Sequence, residues 1–89
     1  MASILTQFKV KDFSEWKKIY DSKKDFRASS GALSSQVFKD AADPNLVTLI
    51  SKWDSLANAQ KFAASSELRS AQQLAGVQGV PSVSFLSEV

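Results

Sequence analysis

The sequence of 89 residues contains neither cysteine nor histidine. Without cysteine, the chain forms no disulfide bond and has no thiolate to act as a nucleophile or a metal ligand. Without histidine, it lacks the usual base near neutral pH and the ligand of a histidine-bound haem, and the common zinc sites need one of these two residues. We therefore expect no metal and no cofactor. Any chemistry must come from Lys, Arg, Tyr, Ser or carboxylate side chains.

The net charge is small and the apolar runs are short. The 11 basic residues give only a net charge of +2 against 9 acidic ones, too little to indicate a nucleic acid or a membrane surface as partner. No apolar run approaches the roughly 20 residues of a membrane span, and the segment Met1–Leu5 lacks the basic and apolar regions of a signal peptide. With 44% apolar residues, the sequence predicts a single domain over residues 1–89, located in the cytoplasm.

Hydrophobic periodicity predicts a strand and then a long helix in the first third of the chain. Apolar residues alternate over Ser3–Val10, which is typical of a strand. From Phe13 they recur at helical spacing, directly after a candidate N-cap at Asp12. We expect this helix to end near Gly31, because glycine tolerates the left-handed conformation that commonly follows a helix.

The middle of the chain predicts a β-hairpin. Strands are expected over Leu33–Asp40 and Leu46–Trp53, both of which carry apolar or β-branched residues. Residues 41–45 contain the sequence Asp-Pro-Asn, which favours a type I turn. The two strands should therefore pair as neighbours.

The last third predicts a second helix and a closing strand. The helix should be capped by Asp54 or Ser55, and Ser65-Ser66 should break or re-cap it before Gly76. Its expected inward residues recur at helical spacing: Leu56, Ala59, Phe62, Ala63, Leu68, Ala71, Leu74 and Ala75. Gly79-Val80-Pro81 is interpreted as a breaker, and Ser82–Val89 alternates as the final strand.

The resulting order is β-α-β-β-α-β, the ferredoxin-like pattern of an α+β fold. It predicts a four-stranded antiparallel sheet with both helices on one face. The other face should be polar if water covers it. Instead the strands carry apolar residues on both faces. In Leu46–Trp53, Leu46 and Ile50 lie on one face, and the other carries Val47, Leu49 and Trp53. Leu5 and Leu86 likewise lie opposite the main apolar set of their strands.

Such a sheet needs a cover on each face, and the helices supply only one. We therefore predict a homodimer in which the sheets of two copies pack together, with an ordinary open-faced sheet as the alternative. An aspartate in place of Leu49 or Leu86 is expected to dissociate or unfold such a protein.

A series of short motifs over essentially the whole chain resembles the dimeric α+β barrel superfamily, and more narrowly the small bacterial antibiotic-biosynthesis-monooxygenase-like (ABM-like) proteins. The resemblance depends on the order and spacing of many weak motifs rather than on one diagnostic sequence. The motifs are Val10–Lys17, Tyr20–Arg27, Gly31, Val37–Asp40, Asp43–Asn45, Lys52–Asp54, Ser65–Arg69 and Gly76-Val77.

The resemblance implies a ferredoxin-like protomer whose sheet packs on that of its partner. It also implies one of several activities: cofactor-free oxidation of phenolic polyketides, haem degradation, polyketide cyclisation, lactone isomerisation or chlorite breakdown. The haem-degrading branch carries an iron-ligating histidine near the position of Gln72, so the absence of histidine excludes that activity. Close short relatives often have histidine where this chain has Lys23.

Two residues are candidates for catalysis, Lys23 and Tyr20. Lys23 falls within the apolar stripe of the first helix, so it could reach a cavity and hold an anion, or act as a base if burial favoured the neutral amine. The alternative is that its stem packs and its ammonium group extends to solvent. Arg27 beside it is a candidate to orient an anionic ligand, or simply to interact with the C-terminal end of the helix.

Three aromatic residues are further candidates for ligand binding: Trp53, Trp16 and Phe62. Most aromatic residues of a chain this short must belong to the core. An apolar pocket between helix and sheet, with a few polar groups, is nevertheless the usual place for a small-molecule site.

Two functions from different classes follow. The first is a cofactor-free monooxygenase acting on a small aromatic or polyketide-like compound, in which Lys23 or Tyr20 handles a proton. The second is a non-catalytic dimeric module that binds a small hydrophobic ligand. Whether the protein is an enzyme is left open by the sequence. An RNA-binding role is disfavoured, because Ser51-Lys52-Trp53 does not supply the stacked aromatic residues that such sheets use.

Overall fold

The computed structural model describes residues 2–89, which form four strands and four helices around one antiparallel sheet. The elements in chain order are β1 (Ala2–Val10), α1 (Phe13–Ser22), α2 (Lys24–Ser30), β2 (Ala32–Lys39), β3 (Leu46–Trp53), α3 (Leu56–Ala63), α4 (Ser66–Leu74) and β4 (Val77–Ser87). The sheet order is β2-β3-β1-β4, and every neighbouring pair is antiparallel. The predicted α+β fold is confirmed, with each predicted helix divided into two segments.

Local sequence explains where these helices begin and end. The Asp12 side chain accepts a hydrogen bond from the Glu15 backbone N–H at 3.2 Å and so caps α1. Gly31 ends α2 in the left-handed conformation, with φ of 115°. Ser55 caps α3, and Ser65 caps α4 through the Leu68 N–H at 3.2 Å. The expected break at Ser65-Ser66 is therefore confirmed.

The turn between β2 and β3 is held by Asp43. Its carboxylate accepts from the Asn45 backbone N–H at 3.0 Å and pairs with Lys9 at 3.2 Å. The Asn45 N–H, and then the Lys9 ammonium, hold the pKa of Asp43 below its usual value, because both stabilise the ionised form. The predicted turn at residues 41–45 is thus confirmed, and the ion pair between Asp43 and Lys9 joins it to β1.

The final strand begins earlier than expected. β4 starts at Val77, so the interpretation of Gly79-Val80-Pro81 as a breaker is wrong. The register of β4 against β1 shifts between Gln7 and Lys9, which leaves residues 79–81 opposite Phe8 as a bulge. Proline is tolerated there because β4 is an edge strand and glycine permits the positive φ of 70° at position 79.

The helices cover the sheet face that carries the buried side chains of β1 and β3. The fully buried core residues on this side include Val10, Val47 and Trp53. Register pairs Thr6 with Leu49, so Leu49 also faces the helices. The expectation that an aspartate at Leu49 would test a partner sheet is therefore wrong, since that side chain lies inside the protomer.

Two residues predicted to face inward do not. Leu56 is 44% exposed and Leu74 is 71% exposed, whereas Ala59 and Ala75 are buried. The small alanines let α3 and α4 lie close to the sheet, and the leucines at the flanks of the stripe remain outside. No helix among residues 2–89 is long and apolar enough to cross a membrane.

No element within residues 2–89 covers the opposite face of the sheet, which is partly apolar. Register places Leu5 directly opposite Ile50 there, both half-buried, with Leu86 on the neighbouring strand and 43% exposed. Gln7 donates to Thr48 at 3.2 Å on the same face. We call the group Leu5, Ile50 and Leu86 the open-face cluster.

Replacement of Gly31 by alanine should lower the free energy of unfolding by about 1–3 kcal/mol. At its φ of +115° a side chain is strained, and a Cβ would lie 2.6 Å from Asp54 Oδ1, an atom that accepts from Asn58 at 2.9 Å. Gly79→Ala is the matched control, because its φ is +70° and nothing lies within 4 Å of the added carbon. Urea denaturation should show the larger loss for Gly31→Ala, and equal losses would contradict this account.

Candidate functional site

A mainly apolar cavity of about 300 Å³ lies between the sheet and the helices. Its floor is formed by helix-facing residues of β1 and β3, and its walls by residues of all four helices. The floor residues are Ile4, Thr6, Phe8, Leu49, Ser51 and Trp53. The volume is at the lower end of the range for small-molecule sites, so the cavity suits one small ligand.

All six candidate site residues line this single cavity. They come from α1, α2, β3, α3 and the junction of α1 and α2, and are Trp16, Tyr20, Lys23, Arg27, Trp53 and Phe62. The structure therefore brings together residues that are up to 46 positions apart in the chain. Their roles in catalysis or ligand binding stay predictions.

One wall of the cavity is an aromatic stack that leads from the sheet along α1. Trp16 packs on Phe8 with ring centroids 5.5 Å apart, and Tyr20 stacks on Trp16 at 4.9 Å. Trp16 is only 3% exposed, so it belongs to the core as well as to the cavity wall. Because Trp16 and Tyr20 are four residues apart, one helical turn places their rings on the same face.

Arg27 holds Tyr20 from the other side. Its Nη1 donates to the Tyr20 backbone carbonyl at 2.6 Å, and its guanidinium carbon lies 3.7 Å from the centre of the Tyr20 ring. This arrangement is a cation–π contact with a half-buried guanidinium. A guanidinium group has five N–H donors, so Arg27 keeps donors for a ligand after making this bond.

The hydroxyl of Tyr20 is also positioned. It donates to Ser35 Oγ on β2 at 2.8 Å, and Ser35 is exposed. Ser35 is not among the residues that line the cavity. The pair therefore connects a cavity-lining hydroxyl to the solvent side of the sheet edge.

The second wall is built around Trp53. The indole is 1% exposed, packs on Phe62 at 4.8 Å and donates through Nε1 to Ser51 Oγ at 2.9 Å. Phe62 in turn contacts Phe26 of α2 at 5.4 Å. These contacts fix the orientation of the ring plane that a flat ligand would meet.

Lys23 sits at the junction of α1 and α2 and is exposed. It is also one of the residues that line the cavity. An exposed ammonium group beside a cavity can attract a negatively charged ligand.

Comparison with known proteins identifies the family. Residues 1–74 match the family model described as antibiotic biosynthesis monooxygenase. The chain belongs to this family. No curated protein matches the monooxygenase-family chain at a significant level.

Solved structures share the fold of this family member over nearly its whole length. SnoaB of Streptomyces nogalater, a cofactor-independent oxygenase, is 12% identical with a TM-score of 0.80, and the match covers 99% of this chain and 92% of that one. An antibiotic biosynthesis monooxygenase is 18% identical with a TM-score of 0.77 and coverage of 100% and 99%. A conserved protein of Methanosarcina mazei Go1 is 12% identical with a TM-score of 0.78 and coverage of 99% and 92%.

Sequence reasoning did not select four polar residues of the family member's cavity: Thr6 and Ser51 on the sheet, and Arg69 and Gln72 on α4. A signal was present for Gln72, because it shares a helical face with Leu68 and Ala75. Arg69 lies at the border of that face and is exposed. Among residues 2–89, no group of three acidic side chains is placed to hold a metal ion.

Proposed function

We propose that the protein is a cofactor-independent monooxygenase that acts on a small aromatic, polyketide-like phenol. The observation that carries this proposal is the cavity in which Tyr20 lies stacked on Trp16 and capped by Arg27. Family membership over residues 1–74 and the fold shared with SnoaB support it. The aromatic walls suit a flat ring, and the cations suit a phenolate.

The proposed reaction uses molecular oxygen as oxidant and needs no other redox partner. An activated ring CH₂ loses one proton to solvent, which leaves its electron pair in the phenolate form of the ring. This carbon donates electrons to O₂ and forms a C–O bond, and the peroxide oxygen takes up a proton. The resulting hydroperoxide loses its remaining C–H proton as the O–O bond breaks. The carbon becomes a carbonyl, and the departing oxygen leaves as water. One O₂ is consumed for each CH₂ converted to C=O.

Charge and proton transfer are assigned to three side chains. Arg27 stabilises the phenolate with its free N–H donors, and Lys23 adds positive charge at the opening. The Tyr20 hydroxyl donates a proton to the departing oxygen and regains one through Ser35, to which it is bonded at 2.8 Å. The roles follow from placement: a half-buried guanidinium, an exposed ammonium and a hydroxyl with a path to solvent.

The aromatic residues orient the substrate and exclude water. Trp53, Phe62 and Trp16 line the cavity as rigid ring faces, and two of them are almost wholly buried. A dry cavity strengthens the electrostatic stabilisation of a phenolate.

We further propose that two copies pack through the open-face cluster. Leu5 and Ile50 pair across neighbouring strands on the sheet face that no helix covers. A second copy of the same face would bury these side chains with two-fold symmetry. A stable interface of this kind would leave the cavity on the helix side of each protomer.

Replacement of Tyr20 by phenylalanine should lower kcat for oxygen uptake by about 100-fold, the lower end of a general-acid contribution. The ring and its stack on Trp16 are kept, so affinity for a phenolic substrate such as an anthrone should change little. Ser35→Ala should cause a smaller loss, because water can replace the serine hydroxyl. Lys24→Gln is the neutral control, since Lys24 is exposed and does not line the cavity.

Oxygen consumption with an anthrone, followed with an electrode and by product mass, checks this prediction. Uptake should persist in the presence of a chelator and without added flavin. An equal kcat for Tyr20→Phe and the unmodified protein would remove Tyr20 from the mechanism.

A non-catalytic binding module is the second candidate function. The observation that favours it is the exposure of Lys23, the one lysine among the described residues that line the cavity. Tight binding of the anthrone under nitrogen, with no oxygen uptake in air above the rate without protein, would establish this function instead.

A further inference from the structure

The positive charges around the cavity are unbalanced. Its lining contains Lys23, Arg27 and Arg69 and, within residues 2–89, neither aspartate nor glutamate. The whole chain has 11 basic and 9 acidic residues, so the eight basic residues outside the cavity are outnumbered by the acidic ones. The entire positive excess of the protein is therefore concentrated at this site.

None of these three cations has an acidic partner in the part of the chain that the structure describes. The ion pairs of residues 2–89 are Lys9–Asp43, Lys17–Asp21 and Lys18–Glu15, all away from the cavity lining. Arg27 is engaged with Tyr20 through its backbone carbonyl and its ring. Lys23 and Arg69 are exposed and make no side-chain hydrogen bond that would neutralise them. Two exposed cations that have no acidic partner within residues 2–89 thus line one cavity.

A neutral phenol gives no reason for this arrangement. The hydroxyl of a simple phenol ionises near pH 10, so at neutral pH such a ligand enters the cavity uncharged. Arg27 alone, half-buried beside Tyr20, can serve the phenolate that forms during reaction. The charges at the opening therefore need a second negative group, one that is already ionised when the ligand approaches.

We infer that the cavity selects an aromatic acid: a phenol whose ring system also carries a carboxylate, which Lys23 and Arg69 hold at the opening. The inference rests on the proposed function for the phenol at the inner end, and on the charge distribution for the carboxylate at the outer end. A planar guanidinium can bind a carboxylate through two parallel N–H bonds, and an ammonium adds a point charge beside it.

The test compares two probes that differ only in this charge, 6-hydroxy-2-naphthoic acid and its methyl ester. Binding is measured by calorimetry under nitrogen at pH 7 and low salt, so that no oxidation occurs. The acid should bind about tenfold more tightly than the ester, as expected for charge-assisted hydrogen bonds. Raising the salt concentration should weaken binding of the acid and leave the ester unaffected.

Single charge-removing variants locate the effect. Arg69→Gln and Lys23→Gln should each weaken binding of the acid about threefold to fivefold, the range expected for an exposed ion pair. Binding of the ester should not change. Lys24→Gln is the matched control, because it removes the same charge one residue away and outside the cavity lining. Circular dichroism of each variant confirms that the fold is intact.

The inference is overturned if the ester binds as well as the acid, if neither probe binds, or if Lys24→Gln weakens the acid as much as Lys23→Gln. Its failure is separable from that of the proposed function. Oxidation of neutral anthrones without preference for the acid would leave the monooxygenase and remove the carboxylate site. Preference for the acid without oxygen uptake by any phenol would keep the carboxylate site and remove the monooxygenase function.

Discussion

Replacing Trp53 by alanine should lower the free energy of unfolding by about 3–5 kcal/mol, the usual cost of removing a buried tryptophan. The side chain is 1% exposed and contacts Ile4, Ala59 and Phe62, so it joins the sheet to α3. Its removal would also enlarge the neighbouring cavity and leave Ser51 Oγ without its donor. Small domains have total stabilities toward the lower end of about 5–15 kcal/mol, so this variant should keep only about 0–2 kcal/mol near room temperature.

Urea denaturation followed by far-UV circular dichroism, at one fixed protein concentration, measures this loss. Leu74→Ala is the control, because Leu74 is 71% exposed and should lose less than about 0.5 kcal/mol. Trp53→Phe should fall between the two, since the phenyl ring fills part of the space but cannot donate to Ser51. A loss for Trp53→Ala no greater than for Leu74→Ala would show that the second wall of the cavity is not part of the core.

Most of the fold was predictable because its elements are set by local patterns. Alternation in β1, the cap at Asp12 and the left-handed Gly31 each act over a few residues, and each was confirmed. The start of β4 was missed because it depends on how β4 pairs with β1, which is distant in the sequence. A glycine and a proline two residues apart normally break a strand, and only the edge position and a bulge opposite Phe8 accommodate Gly79 and Pro81.

The candidate site was predictable only in part, for a related reason. Lys23 and Arg27 follow Tyr20 within two turns of helix, so their spacing already suggests a shared neighbourhood. Arg69 approaches the same cavity from α4, and no sequence pattern relates it to them. The orientation of Leu49 was misjudged because β3 is apolar on both faces, and pairing with Thr6 decides which side meets the helices.

Replacement of Leu5 or Ile50 by aspartate should convert a dimer into a monomer. In solution, the molar mass should fall from twice 9.7 kDa to 9.7 kDa at micromolar concentration, as measured by light scattering after size-exclusion chromatography. The physical reason is the two-fold symmetry of the proposed interface, which would bury each new carboxylate against apolar side chains of the partner sheet. Burial of an unpaired charge costs far more than one interface contact supplies.

Three further measurements test whether the loss of the dimer comes from the interface itself. Leu74→Asp adds the same charge on the exposed side of α4 and should leave the molar mass of the dimer unchanged. Leu49→Asp lies on the opposite side of β3 from Ile50, so it should unfold the protomer rather than separate two folded ones. Leu5→Asp should retain its circular dichroism spectrum, because the new side chain faces water in the monomer. A folded Leu5→Asp dimer would place the interface elsewhere, whereas an already monomeric unmodified protein would mean that the open-face cluster is exposed to water.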